Sequence, residues 1–474
     1  MGFSPVSKTS PVNLSLNYSI AVLGFLILGL LGAPVVECDI VYQAINCRKH
    51  SAALTDFGAK GDGVTSNTAA FRNATAWIGW RSHPHCASRK MAHWQFQSHQ
   101  QFHSFSPEGS SYSWIPGNFA EDISEYPLIE PLKSYGRGRD APGGRYISLV
   151  FGTNLTDVVI TGENGTIDGQ GAFWWDKFRA KELNFTRPYL IEIMYSNQVQ
   201  ISNLTLLNSP SWVVHPVYSS DVIIQGLTIN SPVGSPNTDG IDPDSCTNMK
   251  IEDCFIVSGD DCIAVKSGWD EYGIAVGMPT NHLIIRRLTC ISPDSAVIAL
   301  GSEMSGGIQD LRAEDITAIN SESGVRIKSA PGRGGYVKDI YVRRMTLYTM
   351  KYVFWMTGAY GDHPDEGYDP KALPEVKNIN FRDINAENVT MAADLSGIKD
   401  DPYTGICISD AVINLSPKPK KVQWNCTDVS GITSNVGPPP CDLLPEKVLE
   451  SGCDFPTDVL PIDKVQLQTC KLAF

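Results

Sequence analysis

From about Asn197 onward the chain repeats one short pattern: an apolar residue, a polar one, an apolar one, two variable positions, then apolar again. It reads VQISNLTLLNS from Val199, VIIQGLTINSP from Val222 and MKIEDCFIVSG from Met249. It returns as LIIRRLTCISP from Leu283, VKDIYVRRMTLYT from Val337 and VKNINFRDINAEN from Val376. Most copies lie 23 to 40 residues apart, are rich in Val, Ile and Thr, and are punctuated by Gly, Asn, Asp and Pro. These are strand signals, and no stretch reads as a long amphipathic helix. A short-stranded unit of this length cannot bury its apolar face alone and must stack on its neighbours. The pattern therefore predicts an all-β, single-domain parallel β-helix. A sandwich or propeller would also give many strands, but a propeller needs more regular four-stranded blades. Coils of a β-helix stack about 4.8 Å apart, so equivalent residues of successive copies become lateral neighbours.

The first part of the chain follows a different pattern. One lysine, Lys8, precedes an apolar run from Ile20 to Ala33, followed by small and polar residues to Cys38. The run is shorter than the roughly 20 residues of a membrane span. It predicts a signal peptide over residues 1–37, or a signal anchor if it stays uncleaved, followed by one domain over residues 38–474. Twelve cysteines support an exported chain, as do Asn-x-Ser/Thr sites at Asn73, Asn154, Asn164, Asn184, Asn203 and Asn388. The formal net charge of −13 argues against nucleic acid and anionic membrane as partners, since both require a basic face. A polyanionic ligand would need its own local cations.

Three segments carry candidate chemistry: SPNTDGIDPDSC (Ser235 to Cys246), SGDDCIAVKSG (Ser258 to Gly268) and SGVRIKSA (Ser323 to Ala330). If Ile241 and Ile263 are equivalent core positions, Asp239 and Asp261 sit side by side on adjacent coils, with Asp260 one residue before. Three carboxylates this close cannot all ionise at their usual pKa. A raised acid beside ionised neighbours suits glycoside hydrolysis, in which one group protonates the leaving oxygen and another activates water. Paired aspartates also make turns or bind calcium. Arg326 and Lys328, two apart on a strand, point to one side. They are either a solvated pair or a grip for a carboxylate, the Arg by two hydrogen bonds and the Lys as a point charge.

Together, NTDG, GDDC and RIK in this order resemble the signature of glycoside hydrolase family 28, the polygalacturonases and their relatives. TDFGAKGDGVTSNTAAF (Thr55 to Phe71), NGTIDGQGAFWW and LLNSPSWVVHPVYSS are similar to segments of its plant members. The resemblance covers nearly all of the mature chain. It implies a right-handed parallel β-helix of the pectin-lyase-like type and inverting hydrolysis of α-1,4-galacturonan in pectin without metal or organic cofactor. Asp260 would be the general acid, Asp239 and Asp261 would activate water, and Arg326 and Lys328 would bind a galacturonate carboxylate. The resemblance also suggests a Cys246–Cys262 disulfide, a cell-wall location, and a monomer with no stable membrane partner once the signal is cleaved. Xylogalacturonan or rhamnogalacturonan hydrolysis and non-catalytic pectin binding stay open as alternatives. A calcium-dependent lyase does not fit the aspartate motifs.

The chain departs from the family pattern at two places. The family usually carries Gly-His-Gly before a Gly-Ser pair; here SAVIALGS puts Ala296 in the histidine's place. His215, on an earlier coil, either projects into the same groove as a substrate-binding substitute or is a packed structural residue. The segment 81–116 holds five of the nine histidines (His83, His85, His93, His99 and His103) and breaks the pattern. Their spacings fit no regular metal site. The segment is either a disordered insertion or, the favoured reading, a frame-shifted stretch: with suitable codons, RKMAHWQFQSHQQFHSFSP read one nucleotide later becomes the strand-like GKWLTGSFNLTSNFTLFL. Finally, a groove open at both ends allows internal cuts and a loop across one end forces exo action; the loop Gly358 to Leu373 is long enough for that, but length alone leaves endo and exo action both open.

Overall fold

The computed structural model describes residues 126–467, together with Gly58 and Ile123. The chain divides into residues Met1–Val41 and a body Tyr42–Phe474, and every described residue belongs to the body. The expected signal peptide and the 81–116 segment lie outside the described residues.

The apolar positions of the repeat become one column of the core. Val158, Val199, Val222, Met249, Leu283, Leu311, Ile340, Ile379 and Ile406 follow one another in parallel register, and all are buried. Leu311 belongs to a coil, Ile308–Lys328, that falls between the copies read from Leu283 and Val337. The step between those copies, 54 residues, is about twice the usual because it spans two coils. Further along, Phe354 and Phe381 stack inside successive coils with ring centroids 4.6 Å apart.

The polar punctuation makes the corners. Asp253, Arg287, Asp315, Arg344, Asp383 and Asp410 each take a positive φ at the same place in consecutive coils, and Gly226 does so one coil earlier. A left-handed residue ends one strand and turns the chain into the next, which explains the weight of Asp, Asn and Gly there. Charges alternate along this corner: Arg287 pairs with Asp253 at 2.5 Å and Arg344 with Asp315 at 2.6 Å. The result is a parallel β-helix of the right-handed kind, the hand that twisted strands favour in parallel crossovers. Among the described residues the α-helices are two short ones, Ala172–Arg179 and Asp270–Val276.

The disulfide expected between Cys246 and Cys262 does not form. Cys262 bonds Cys290, and the other described pairs are Cys407–Cys453 and Cys426–Cys441; Cys246 is a buried free thiol. The reason is register. Asp244 lies opposite Lys266, so Cys246 is level with Gly268, six residues beyond Cys262. At about 3.3 Å per residue the two cysteines sit at opposite ends of their strands, beyond disulfide reach.

Candidate active site

One sheet of the helix carries the candidate residues. It runs through Ile191–Met194, Val214–Val217, Ile263–Val265, Ala296–Leu300 and the last residues of Ile308–Lys328, Tyr336–Thr357 and Glu375–Ser396. Ile241 bridges Val214 on one side and Ile263 on the other. Because strand residues alternate sides, two columns face outward from this core. One reads Glu192, His215, Asp242, Ala264, Ala299, Arg326, Trp355 and Asp394; the other includes Asp244, Lys266, Gly301 and Lys328.

Ile241 and Ile263 are thus equivalent and fully buried, which sets Asp239 beside Asp261. Asp239, Asp260 and Asp261 each offer an oxygen, all within 4.8 Å of one another. Backbone bonds fix the arrangement: Gly240 N donates to Asp261 O at 2.9 Å and Cys262 N to Ala296 O at 2.8 Å. Ser258 and Ser292 hydroxyls both donate to the Asp260 carbonyl, at 2.5 and 2.6 Å, and hold its peptide in place.

The neighbouring aspartates have different surroundings. Asp261 accepts from Lys328 Nζ at 2.5 Å, from Ser295 Oγ at 2.6 Å and from the Ala296 N–H at 3.0 Å. Burial pushes its pKa up, but the Lys328 ammonium and these hydrogen bonds more than offset that and hold it below the usual carboxylate value. Asp260 is less enclosed and goes the other way, raised by burial and then by the Asp261 charge. Asp239 is raised well above its ordinary value, by burial first and the Asp260 charge second. Its Oδ1 has no hydrogen-bond partner among the described residues. Three adjacent carboxylates are thus pushed apart in pKa, Asp239 and Asp260 upward and Asp261 downward, as expected for like charges at close range.

Four further residues complete the cluster. Lys266 Nζ lies 3.2 Å from Glu303, 3.6 Å from Asp242 and 3.8 Å from Asp239, and 4.5 Å over the Trp212 ring. Asp242 and Lys266 were already inside the motif segments. Strand alternation would have turned both outward, but Glu303 reaches the cluster only through the turn after Gly301, which has no sequence signature. Trp355 is found by register: it lies opposite Arg326, whose guanidinium stacks over its ring at 3.6 Å. Arg326 is partly exposed and also 3.6 Å from Glu322.

His215 does not reach the groove. It is fully buried, its ring nitrogens 3.1 Å from Glu192 and 3.3 Å from Asp244. Burial lowers its pKa, but those two carboxylates outweigh it and raise the value, and both ring nitrogens are engaged inside the protein. Ala296 brings only its backbone to Asp261; its side chain packs with Ala264 and Ala299. The 358–373 loop is anchored to the site's wall: Trp269 Nε1 donates to Asp362 O at 3.1 Å and Tyr272 OH to Asp365 at 2.8 Å.

A parallel β-helix that gathers three carboxylates beside the Arg326 and Lys328 cations has the make-up of a polysaccharide-cleaving type of protein. The model of the glycosyl hydrolases family 28 matches residues 140–436, and this chain belongs to that family. It is 61% identical over 449 residues to a probable polygalacturonase of Vitis vinifera, covering 90% of this chain and 88% of that one. It is 24% identical to polygalacturonase-2 of Solanum lycopersicum, covering 72% and 69%. An exopolygalacturonase structure from Thermotoga maritima is similar at TM-score 0.60 and 25% identity, covering 79% of this chain and 89% of that one. A family 28 exopolygalacturonase from Yersinia enterocolitica shares the fold at TM-score 0.62 and 16% identity, covering 85% and 78%.

Proposed function

We propose that this chain hydrolyses α-1,4-galacturonosyl linkages in pectic polygalacturonate by single displacement with inversion. The observation that carries the reading is the split between two consecutive aspartates. Asp260 is poised to hold a proton, while Asp261 is kept ionised by Lys328, Ser295 and the Ala296 N–H. Asp260 gives its proton to the glycosidic oxygen as the bond to the anomeric carbon breaks. Water attacks that carbon from the other face, losing its proton to Asp261, with Asp239 holding the water in place. Nearest oxygens within 4.8 Å are tighter than the roughly 6.5–9.5 Å separation usual for inverting pairs. In this reading the water sits at the mouth of the cluster, shared by Asp239 and Asp261, rather than in a gap between acid and base.

Arg326 and Lys328 face the same side one strand step apart and supply local cations that the net charge of −13 does not. Arg326, stacked on Trp355, is oriented to take a uronate carboxylate, and Trp355 to underlie the sugar ring. Lys328 both tunes Asp261 and adds positive charge. The site needs no histidine at Ala296, because the groups bonded to Asp261 set its protonation. The described sequons Asn154, Asn164, Asn184, Asn203 and Asn388 are all exposed, and with three disulfides they support action in the cell wall.

The test is release of reducing ends from polygalacturonic acid by the wild-type chain and by Asp260→Asn. The variant is expected to lose about 10²–10⁴-fold in kcat, the usual contribution of a general acid, while still binding oligogalacturonate. Binding without turnover in the wild type would overturn the hydrolase reading.

A further inference from the structure

We propose that the groove is barred on the N-terminal side of the catalytic acids, so that the enzyme attacks chain ends and releases one galacturonate per cut. This rests on the polygalacturonate-hydrolase reading above and adds where on the polymer it acts. The bar is the segment around Arg139 and Asp140. Arg139 ties to the bank formed by loops that follow the site's strands: Nε lies 2.7 Å from Glu303 and Nη2 3.0 Å from Asp362, with the guanidinium 4.7 Å over Trp269. Asp140, the next residue, ties to the opposite bank, formed by loops that precede the strands. It accepts from Arg187 Nε at 2.8 Å, and Arg187 reaches on to Asn237 at 2.8 Å. Two consecutive residues thus anchor to opposite banks, and their side chains, extended by Arg187, bridge the trough.

Burial along the outward columns shows the same closure. Glu192, His215, Asp242 and Asp244 point outward from the sheet yet are fully buried. The segment that covers them makes direct contacts: Arg145 pairs with Glu192, Tyr135 donates to Asp244 at 2.7 Å, and the Ser134 carbonyl accepts from Trp269 N at 2.7 Å. Beyond the acids the column opens again: Arg326, Trp355 and Asp394 are each partly exposed. Between them Ala264 and Ala299 form a short-side-chain floor, both buried.

The position of the bar sets the product. Asp242 and Asp244, outward on the strand that begins beside Asp239, are already covered. Asp239 is 3.8 Å from Lys266, Lys266 is 3.2 Å from Glu303, and Arg139 holds Glu303. Among the described residues no uncovered coil, each about 4.8 Å deep, lies between the acids and the bar, so the closed side takes no more than one terminal sugar unit. The polymer continues along Arg326 and Trp355 on the open side.

Two measurements on the full chain test this. In the first, wild-type enzyme digests polygalacturonic acid while early products and viscosity are followed. A barred groove releases monogalacturonate from the first time points with little fall in viscosity; an early ladder of oligomers with a rapid fall overturns it. The second measures binding of hexagalacturonate to Asp260→Asn, with a bulky fluorophore on either the reducing or the non-reducing end. A barred groove tolerates the tag at one end and loses about tenfold or more in affinity at the other, a difference of about 1.4 kcal/mol or more. Equal affinity for both overturns the bar. This second readout does not depend on turnover, so an inactive wild type would defeat the hydrolase reading and still leave the bar decided.

Discussion

At the scale of single residues, the proposed mechanism depends on two adjacent aspartates whose pKa values are pushed apart. In that mechanism turnover requires Asp261 ionised and Asp260 protonated. Asp261 is held below the usual carboxylate value, so the rising limb of the pH profile lies on the acid side. Asp260 is raised, so the falling limb lies above it. Lys328→Met removes the strongest influence holding Asp261 down. Its kcat/KM profile is therefore expected to shift its rising limb to higher pH, narrowing the active range; an unmoved limb would show that Lys328 does not set that group. The aspartates and the RIK pair were legible because each motif is short, polar and interrupts an apolar pattern. His215 was misleading for the same reason: an outward polar residue looks like a groove residue until the covering segment is seen. That segment's partners lie up to 227 residues away, so no local pattern announces it. Lys266 and Asp242 were in plain view but look like solvated charges unless strand alternation is applied.

At the scale of elements, the repeat fixed the register and the register brought the site together. Asp239 and Asp261 become neighbours only because Ile241 and Ile263 occupy the same core column. The same logic explains the misplaced disulfide: Cys246 and Cys262 share adjacent coils but not a register level. The skipped coil Ile308–Lys328 shows where pattern reading loses sensitivity. Its variable positions are crowded with charge, as in IQDLRAEDITAIN, which masks apolar positions that are nonetheless fully buried. Stability should depend on these columns. Phe354 lies inside the coil that also carries Trp355 and packs on Phe381. Phe354→Ala is expected to cost about 3–5 kcal/mol in chemical denaturation, the range for emptying a buried aromatic site. A loss under 1 kcal/mol would mean the core closes over the gap. Trp355→Ala, partly exposed in the groove, should instead weaken substrate binding with little loss of stability.

At the scale of the whole molecule, a chain of net charge −13 acts on a polyanion with a small group of cations placed near the acids. Lys266 and Lys328 contact the acids directly, and Arg326 and Arg139 stand further along the same network, through Tyr360 and Glu303. The fold class was legible from periodicity, because irregular repeats of short strands suit coils that stack to bury one apolar face each better than they suit regular propeller blades. The closure of one end was not, since it depends on a segment outside the repeat. The division of labour between Asp260 and Asp261 in a single displacement is tested most directly by proton NMR of the first product formed from polygalacturonate, before mutarotation, by the wild type and Asp260→Asn. The β-anomer is expected first from the wild type, with no early product from the variant. The α-anomer first, or an unaffected variant, would contradict that division of labour.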